Sequence, residues 1–254
     1  MRQITIIFLL TFGLLSCGKQ IEKPNRNKQL NEEQQKIILD KLRLDFNQPV
    51  LIDSSVYVMY PLTLGKNDKF ERGSFSSSSG GYTSYWNIVF YNTANDKYHL
   101  LDDTMKMLIY SYHQGSSFGA SSSPSEFSKY LESGYNQVDK LIYYSITTKD
   151  FNQDGKLNSE DPSYLFITDK AGENLKQVSP DNFNVTSWKT IKGTNKILLQ
   201  VIKDSNNDKK FDEQDETIQM VYDLNINTIS KVIFNDEFKL RLKKRLQKQW
   251  PEKE

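Results

Sequence analysis

One cysteine, Cys17, and two histidines, His99 and His113, are all that this 254-residue chain offers of two side chains central to nucleophilic and metal chemistry. A single cysteine excludes a disulfide framework. No Gly-x-Ser-x-Gly, His-Glu-x-x-His or phosphate-loop pattern occurs. Lys and Arg number 33 against 32 acidic residues, a net charge of +1, so the strongly basic balance of a nucleic-acid binder is missing. Long apolar stretches are missing too: residues 4–15 form an almost unbroken run that suits a signal-peptide core and is short for a bilayer span. His99, beside Tyr98 and Leu100, reads as a packed or edge residue, and His113 as structural. The chain is therefore expected not to be an enzyme.

The N-terminus is the first thing the sequence does contain. Met1-Arg2 is a short basic start, and the apolar run ends in Leu14-Leu15-Ser16-Cys17. That ending resembles a bacterial lipobox. The resemblance implies that residues 1–16 are a cleaved signal peptide and that Cys17 is acylated. Several acyl chains at about 0.8 kcal/mol per buried CH₂ make a stable membrane anchor. Gly18, rather than Asp, follows the cysteine, and the bacterial sorting rule then implies the outer membrane of the cell envelope. The polar residues that follow, to 30, read as a flexible tether.

Residues 31–254 read as one β-rich domain. Asn31 and Gln34 form a capping-box pattern, and Ile37, Ile38 and Leu42 give a helical stripe, so a helix is expected over 31–48, closed by Pro49. From 50 to 234 the pattern is that of short strands rich in β-branched and aromatic residues, at 56–60, 86–91, 107–110, 141–146, 164–167, 185–190, 196–202 and 218–222. Two Ser/Gly-rich stretches, 73–81 and 115–123, read as surface loops. A C-terminal amphipathic helix is expected over 235–250. Its Phe238, Leu242 and Leu246 would dock on the domain, with a basic membrane-surface helix as the other use of the same pattern.

A shift of 54 residues lays the sequence on itself without a gap. Asp150, Asn152, Asp154, Asn158 and Asp161 fall on Asp204, Asn206, Asp208, Asp212 and Asp215, and Phe166 to Asp169 fall on Met220 to Asp223. An earlier copy of the second half, Phe90-Tyr91-Asn92, follows a loop at 65–84 that lacks the acidic pattern. A period near 50 residues with about four strands per unit is a propeller signature. Tyr164-Leu-Phe-Ile-Thr-Asp-Lys-Ala-Gly-Glu-Asn-Leu-Lys-Gln-Val-Ser-Pro180, followed by Asn184-Val-Thr-Ser-Trp188, resembles a blade of TolB-type propellers. That resemblance covers about a third of the chain. It implies antiparallel blades, of which the chain has room for three or four, and a binding platform rather than an enzyme.

The acidic repeats have the spacing of calcium loops, which take oxygens from positions 1, 3, 5, 7, 9 and 12. The first would offer Asp150, Asn152, Asp154, the Lys156 carbonyl, Asn158 and Asp161, with Gly155 at the sixth, sharply turning position. The second would offer Asp204, Asn206, Asp208, the Lys210 carbonyl, Asp212 and Asp215, with Lys209 at the sixth position and so weaker binding. Strand-like flanks and Pro162 place both loops on β-hairpins rather than between helices. The expected cofactor is structural Ca²⁺. The expected role is a lipid-anchored binding or scaffold protein with a protein or glycan partner and no nucleic acid. An accessory subunit of a membrane complex and a hydrolase using paired carboxylates are the alternatives.

Overall fold

The computed structural model describes residues 32–64, 84–115 and 137–251. The expected signal segment, Cys17 and its tether lie outside them, as do loop residues 73–81 and 116–123. The chain divides into two units, residues 1–41 and 42–254. The first contains helix α1, Glu32–Lys41, with two acids in its first turn and Lys41 in its last, matching the helix dipole.

The helix is shorter than the apolar stripe suggests. Leu44–Phe46 are not helical but form strand β1, pairing with β3, Tyr57–Leu64. The Asn47 side chain donates to the Pro61 carbonyl and to Thr63 Oγ1, which holds this edge in place. A three-residue strand with a mixed sequence has no period to read, and sheet pairing decides its state.

The second unit is mainly β. Its first sheet runs β1-β3-β4-β5, with β2 (Val50–Leu51) also on β3, β4 at Asn87–Asn92 and β5 at Lys97–Leu100. The second runs β6 (Leu108–Gln114), β7 (Leu141–Thr147), β8 (Tyr164–Asp169) and β9 (Lys176–Gln177). The third runs β10 (Phe183–Ile191), β11 (Lys196–Lys203), β12 (Glu216–Asp223) and β13 (Thr228–Val232). Every strand pairing is antiparallel, and all but β1–β3 join sequence neighbours. None of the sheets closes on itself.

The sheets stack through their faces. Alternate side chains of β7 and β8 point to opposite sides. Ile142, Tyr144, Ile146, Tyr164 and Phe166 join Met59, Ile88 and Phe90 of the first sheet in one core. Tyr143, Leu165 and Ile167 join Trp188, Leu199 and Tyr222 of the third in another. Burial on both faces explains why β8 reads as a continuous apolar run, whereas β11 alternates. The buried Tyr144 hydroxyl shares a 2.9 Å hydrogen bond with Thr168, and that of Tyr143 donates to the Val138 carbonyl. Burial raises both phenol pKa values, so both donors stay protonated. Ser230 ties the third sheet to the second by donating to the Val178 carbonyl at 2.7 Å.

One turn recurs in all three sheets. Asn92, Asp169 and Asp223 each end the third strand of the repeat and accept, through Oδ1, the amide two residues on. This is an Asx turn, set by side-chain length and therefore readable from sequence. The turn at Asn92 thus has the same side-chain hydrogen bond as those at Asp169 and Asp223.

The C-terminal helix α2, Asp236–Gln249, differs from expectation. None of its residues is buried, so its apolar stripe does not dock on the sheets. Lys239 bonds Glu216 of β12 at 2.7 Å, a peripheral link near the helix start. No described helix is long and apolar enough to cross a membrane.

Candidate functional site

The two acidic loops occupy equivalent positions, as the tips of the β7–β8 and β11–β12 hairpins. Strand register fixes this, because Ile146 pairs with Tyr164 and Lys203 with Glu216 at the loop mouths. The loops then adopt the same internal wiring. At position 12, Asp161 accepts the amides of Phe151 and Asn158, while Asp215 accepts those of Ser205 and Asp212. At position 1, Asp150 accepts the Gly155 amide and Asp204 accepts that of Lys209. At position 3, Asn152 accepts the amide of Asp154, and Asn206 that of Asp208. At position 5, Asp154 and Asp208 accept the amides of Lys156 and Lys210. At position 9, Asn158 and Asp212 accept those of Glu160 and Gln214.

Backbone angles repeat as well. The fourth residues, Gln153 and Asn207, have φ of 63° and 62°. At the sixth position Gly155 has φ 85° and Lys209 φ 65°. This left-handed conformation is free for glycine, whereas a residue with a Cβ loses about 1 kcal/mol there. Lys209 nonetheless adopts it and reaches across to the first loop, where its Nζ donates to Gln153 Oε1 at 3.0 Å.

The sequence places the loops far apart, but the sheets bring them side by side. The rings of Phe151 and Phe211 approach to 5.1 Å between centroids. A cavity of about 440 Å³ lies between the loops, lined among others by Asn152, Glu160, Asp161, Asn184, Asp208 and Lys209. Asn184 and Lys209 lie outside the expected donor sets. No sequence signal marks their contribution, because it depends on how neighbouring sheets stack.

The loops differ in depth. Asp161 is 4% exposed and Asn158 and Leu157 are buried with it, whereas Asp215 is only half-buried and Asp212 beside it is exposed. Burial pushes the Asp161 carboxyl above its ordinary pKa, against the amides that stabilise its anion. The Ser205 amide, the largest influence on Asp215, helps hold that carboxyl below its ordinary value. The two equivalent residues thus have opposite pH signatures. Asp161 adds stability below the unfolded carboxylate value and loses it as pH rises through its raised folded value. Asp215 adds stability above the unfolded value and loses it as pH falls through its lowered one.

The donors suit a hard cation, since all would be carboxylate, amide or carbonyl oxygens. The Asp204 carboxylate has one oxygen, Oδ1, buried without a hydrogen-bond partner, a position a cation would satisfy. Among the described residues no three His, Cys, Asp or Glu side chains yet converge as a metal-binding group. The carboxylates instead hold the loop amides.

The histidines lie elsewhere. His99 stacks on Phe90 at 5.5 Å and meets the edge of Tyr57. His113 packs against Trp188 beside a cavity of about 200 Å³ between the second and third sheets, and burial lowers its pKa.

The class that these features define is a mainly β protein of three stacked antiparallel sheets carrying twin acidic hairpin loops. No protein-family model matches the chain, and no curated protein sequence matches it.

Proposed function

We propose that the chain is a lipid-anchored cell-envelope binding or scaffold protein, built of propeller-like blades of TolB type and stiffened by structural Ca²⁺ at its two hairpin loops. The observation that carries the calcium part is the repeated wiring: twelve amide-to-side-chain bonds, six in each loop, fall at matching positions. Turn chemistry alone accounts for single Asx bonds, not for a twelve-residue pattern reproduced at the tips of two neighbouring sheets. In the first loop Asp150, Asn152, Asp154, the Lys156 carbonyl, Asn158 and Asp161 would hold the ion. In the second the holders would be Asp204, Asn206, Asp208, the Lys210 carbonyl, Asp212 and Asp215. The bound ion supplies positive charge that offsets repulsion among the carboxylates. Stiff paired tips would present a fixed surface to a protein or glycan partner. The anchor rests on the lipobox resemblance at Cys17.

Thermal melting in EDTA and in 10 mM Ca²⁺, with Mg²⁺ as control, tests the metal. A site with a dissociation constant near about 0.1 mM is then at roughly 100-fold excess, which adds about 2.7 kcal/mol and about 5 to 11 °C. The gain should fall when Asp150→Asn and Asp154→Asn are combined, and again with Asp204→Asn and Asp208→Asn. Equal melting in EDTA and Ca²⁺ would reduce the loops to turn chemistry. The anchor is tested separately by labelling with a radioactive fatty acid in the producing bacterium. The label should be carried by the chain and vanish with Cys17→Ser; an unlabelled wild-type chain sinks the anchor.

A further inference from the structure

α2 is an amphipathic element without a docking site among the described residues. Its start is well defined: Asn235 accepts the Phe238 amide at 2.9 Å, with Asp236 and Glu237 in the first turn. Every fourth residue from there is apolar, giving Phe234, Phe238, Leu242, Leu246 and Trp250. At 3.6 residues per turn such a row drifts by only about 40° per step, so it forms one stripe. The Phe234 and Phe238 rings stack at 5.5 Å, and the Arg241 guanidinium lies 5.0 Å from the Phe238 ring centre. Beyond the half-buried Phe238 the stripe is open to solvent, with Leu242 47%, Leu246 60% and Trp250 75% exposed.

The charges around the stripe identify its occupant. Between Phe238 and Trp250 there is no acidic residue, while Lys239, Arg241, Lys243, Lys244, Arg245 and Lys248 are basic. Helical geometry puts Lys243 along one edge of the stripe, where Lys239 is tied to Glu216, and Arg241 and Arg245 along the other. A protein groove would need acidic walls on both sides. An anionic bilayer offers negative charge on every side of an inserted stripe, and long Lys and Arg stems reach up to it. Trp250, at the end of the row, suits the headgroup boundary. At about 1.5 Å per residue the 14-residue helix is about 21 Å long, too short to span a bilayer and suited to lying in its plane. We propose that α2 lies in the headgroup layer of an anionic phospholipid surface, with Phe238, Leu242, Leu246 and Trp250 inserted.

Hydrogen exchange of the full chain in buffer, with vesicles of neutral phosphatidylcholine, and with vesicles also containing phosphatidylglycerol tests this. The amides of residues 238–249 should exchange at least about tenfold more slowly on the anionic vesicles than under either other condition. Combining Leu242→Asp with Leu246→Asp should abolish that protection while β11 and β12 exchange as before, which shows the sheets are folded. Acylation at Cys17 would recruit the chain to both vesicle types, so the contrast between them reports α2 alone. Unchanged exchange on anionic vesicles, or equal protection on neutral ones, overturns the proposal. Protection in buffer that grows with protein concentration overturns it in favour of a second copy of the chain.

Discussion

Trp188→Ala should lower the melting temperature by about 6 to 20 °C, from a loss of about 3 to 5 kcal/mol on truncating a buried tryptophan in a domain of this size. Trp188 projects from β10 into the core between the second and third sheets. It stacks on Tyr143 with ring centroids 4.5 Å apart and meets His113 edge-on at 5.9 Å. Removing the indole leaves a void lined by groups from β6, β7 and β10, and rigid strands on both sides cannot collapse into it. Trp188→Phe keeps one ring against Tyr143 and should cost less. Calorimetry or circular dichroism reads the shift. A fall of under about 2 °C would show that the second and third sheets do not depend on this contact.

Gly172→Ala should cost about 3 kcal/mol, a drop of about 6 to 12 °C, although it adds only a methyl group. Gly172 sits in the turn after β8 with φ +78°, where a Cβ is disfavoured. A Cβ there would also lie 2.4 Å from a ring carbon of Phe90 in the first sheet. Phe90 cannot swing away, because it is fully buried and stacked on His99. The steric part can be separated from the backbone part by a double-mutant cycle. In a Phe90→Leu background Gly172→Ala should cost only about 1 kcal/mol, the backbone part alone. Simple additivity of the two changes would mean that the turn does not press on Phe90.

Both predictions concern contacts between repeats, which is also where the sequence stopped being informative. Phe166 and Met220 fall on one another in the repeat, and so do the strands that contain them. Strand identity was legible from runs such as Tyr164-Leu-Phe-Ile, because β-branched and aromatic side chains fit a pleated, buried surface. Strands β1, β2 and β9 carry two or three residues each, too few for any period, and exist because a neighbour offers free amides and carbonyls. The donor spacing of Asp150 to Asp161 was likewise visible, since a loop that folds on its own side chains is a local device. Its proximity to the second loop was not visible, nor was the burial that separates Asp161 from Asp215. The apolar row of α2 was plain in the sequence, but an amphipathic pattern states only that a face wants cover and not what covers it.

The antiparallel strands, the donor spacing of the acidic loops and the stripe on α2 are written into the chain locally, because each depends on residues close together in it. Long-range packing instead sets that β7 and β8 are buried on both faces, that Phe151 meets Phe211, that Phe90 presses on the turn at Gly172 and that no residue of α2 is buried among the described residues. Those outcomes depend on which sheet faces which, a choice made by shape and packing across many residues of separation rather than by any local pattern.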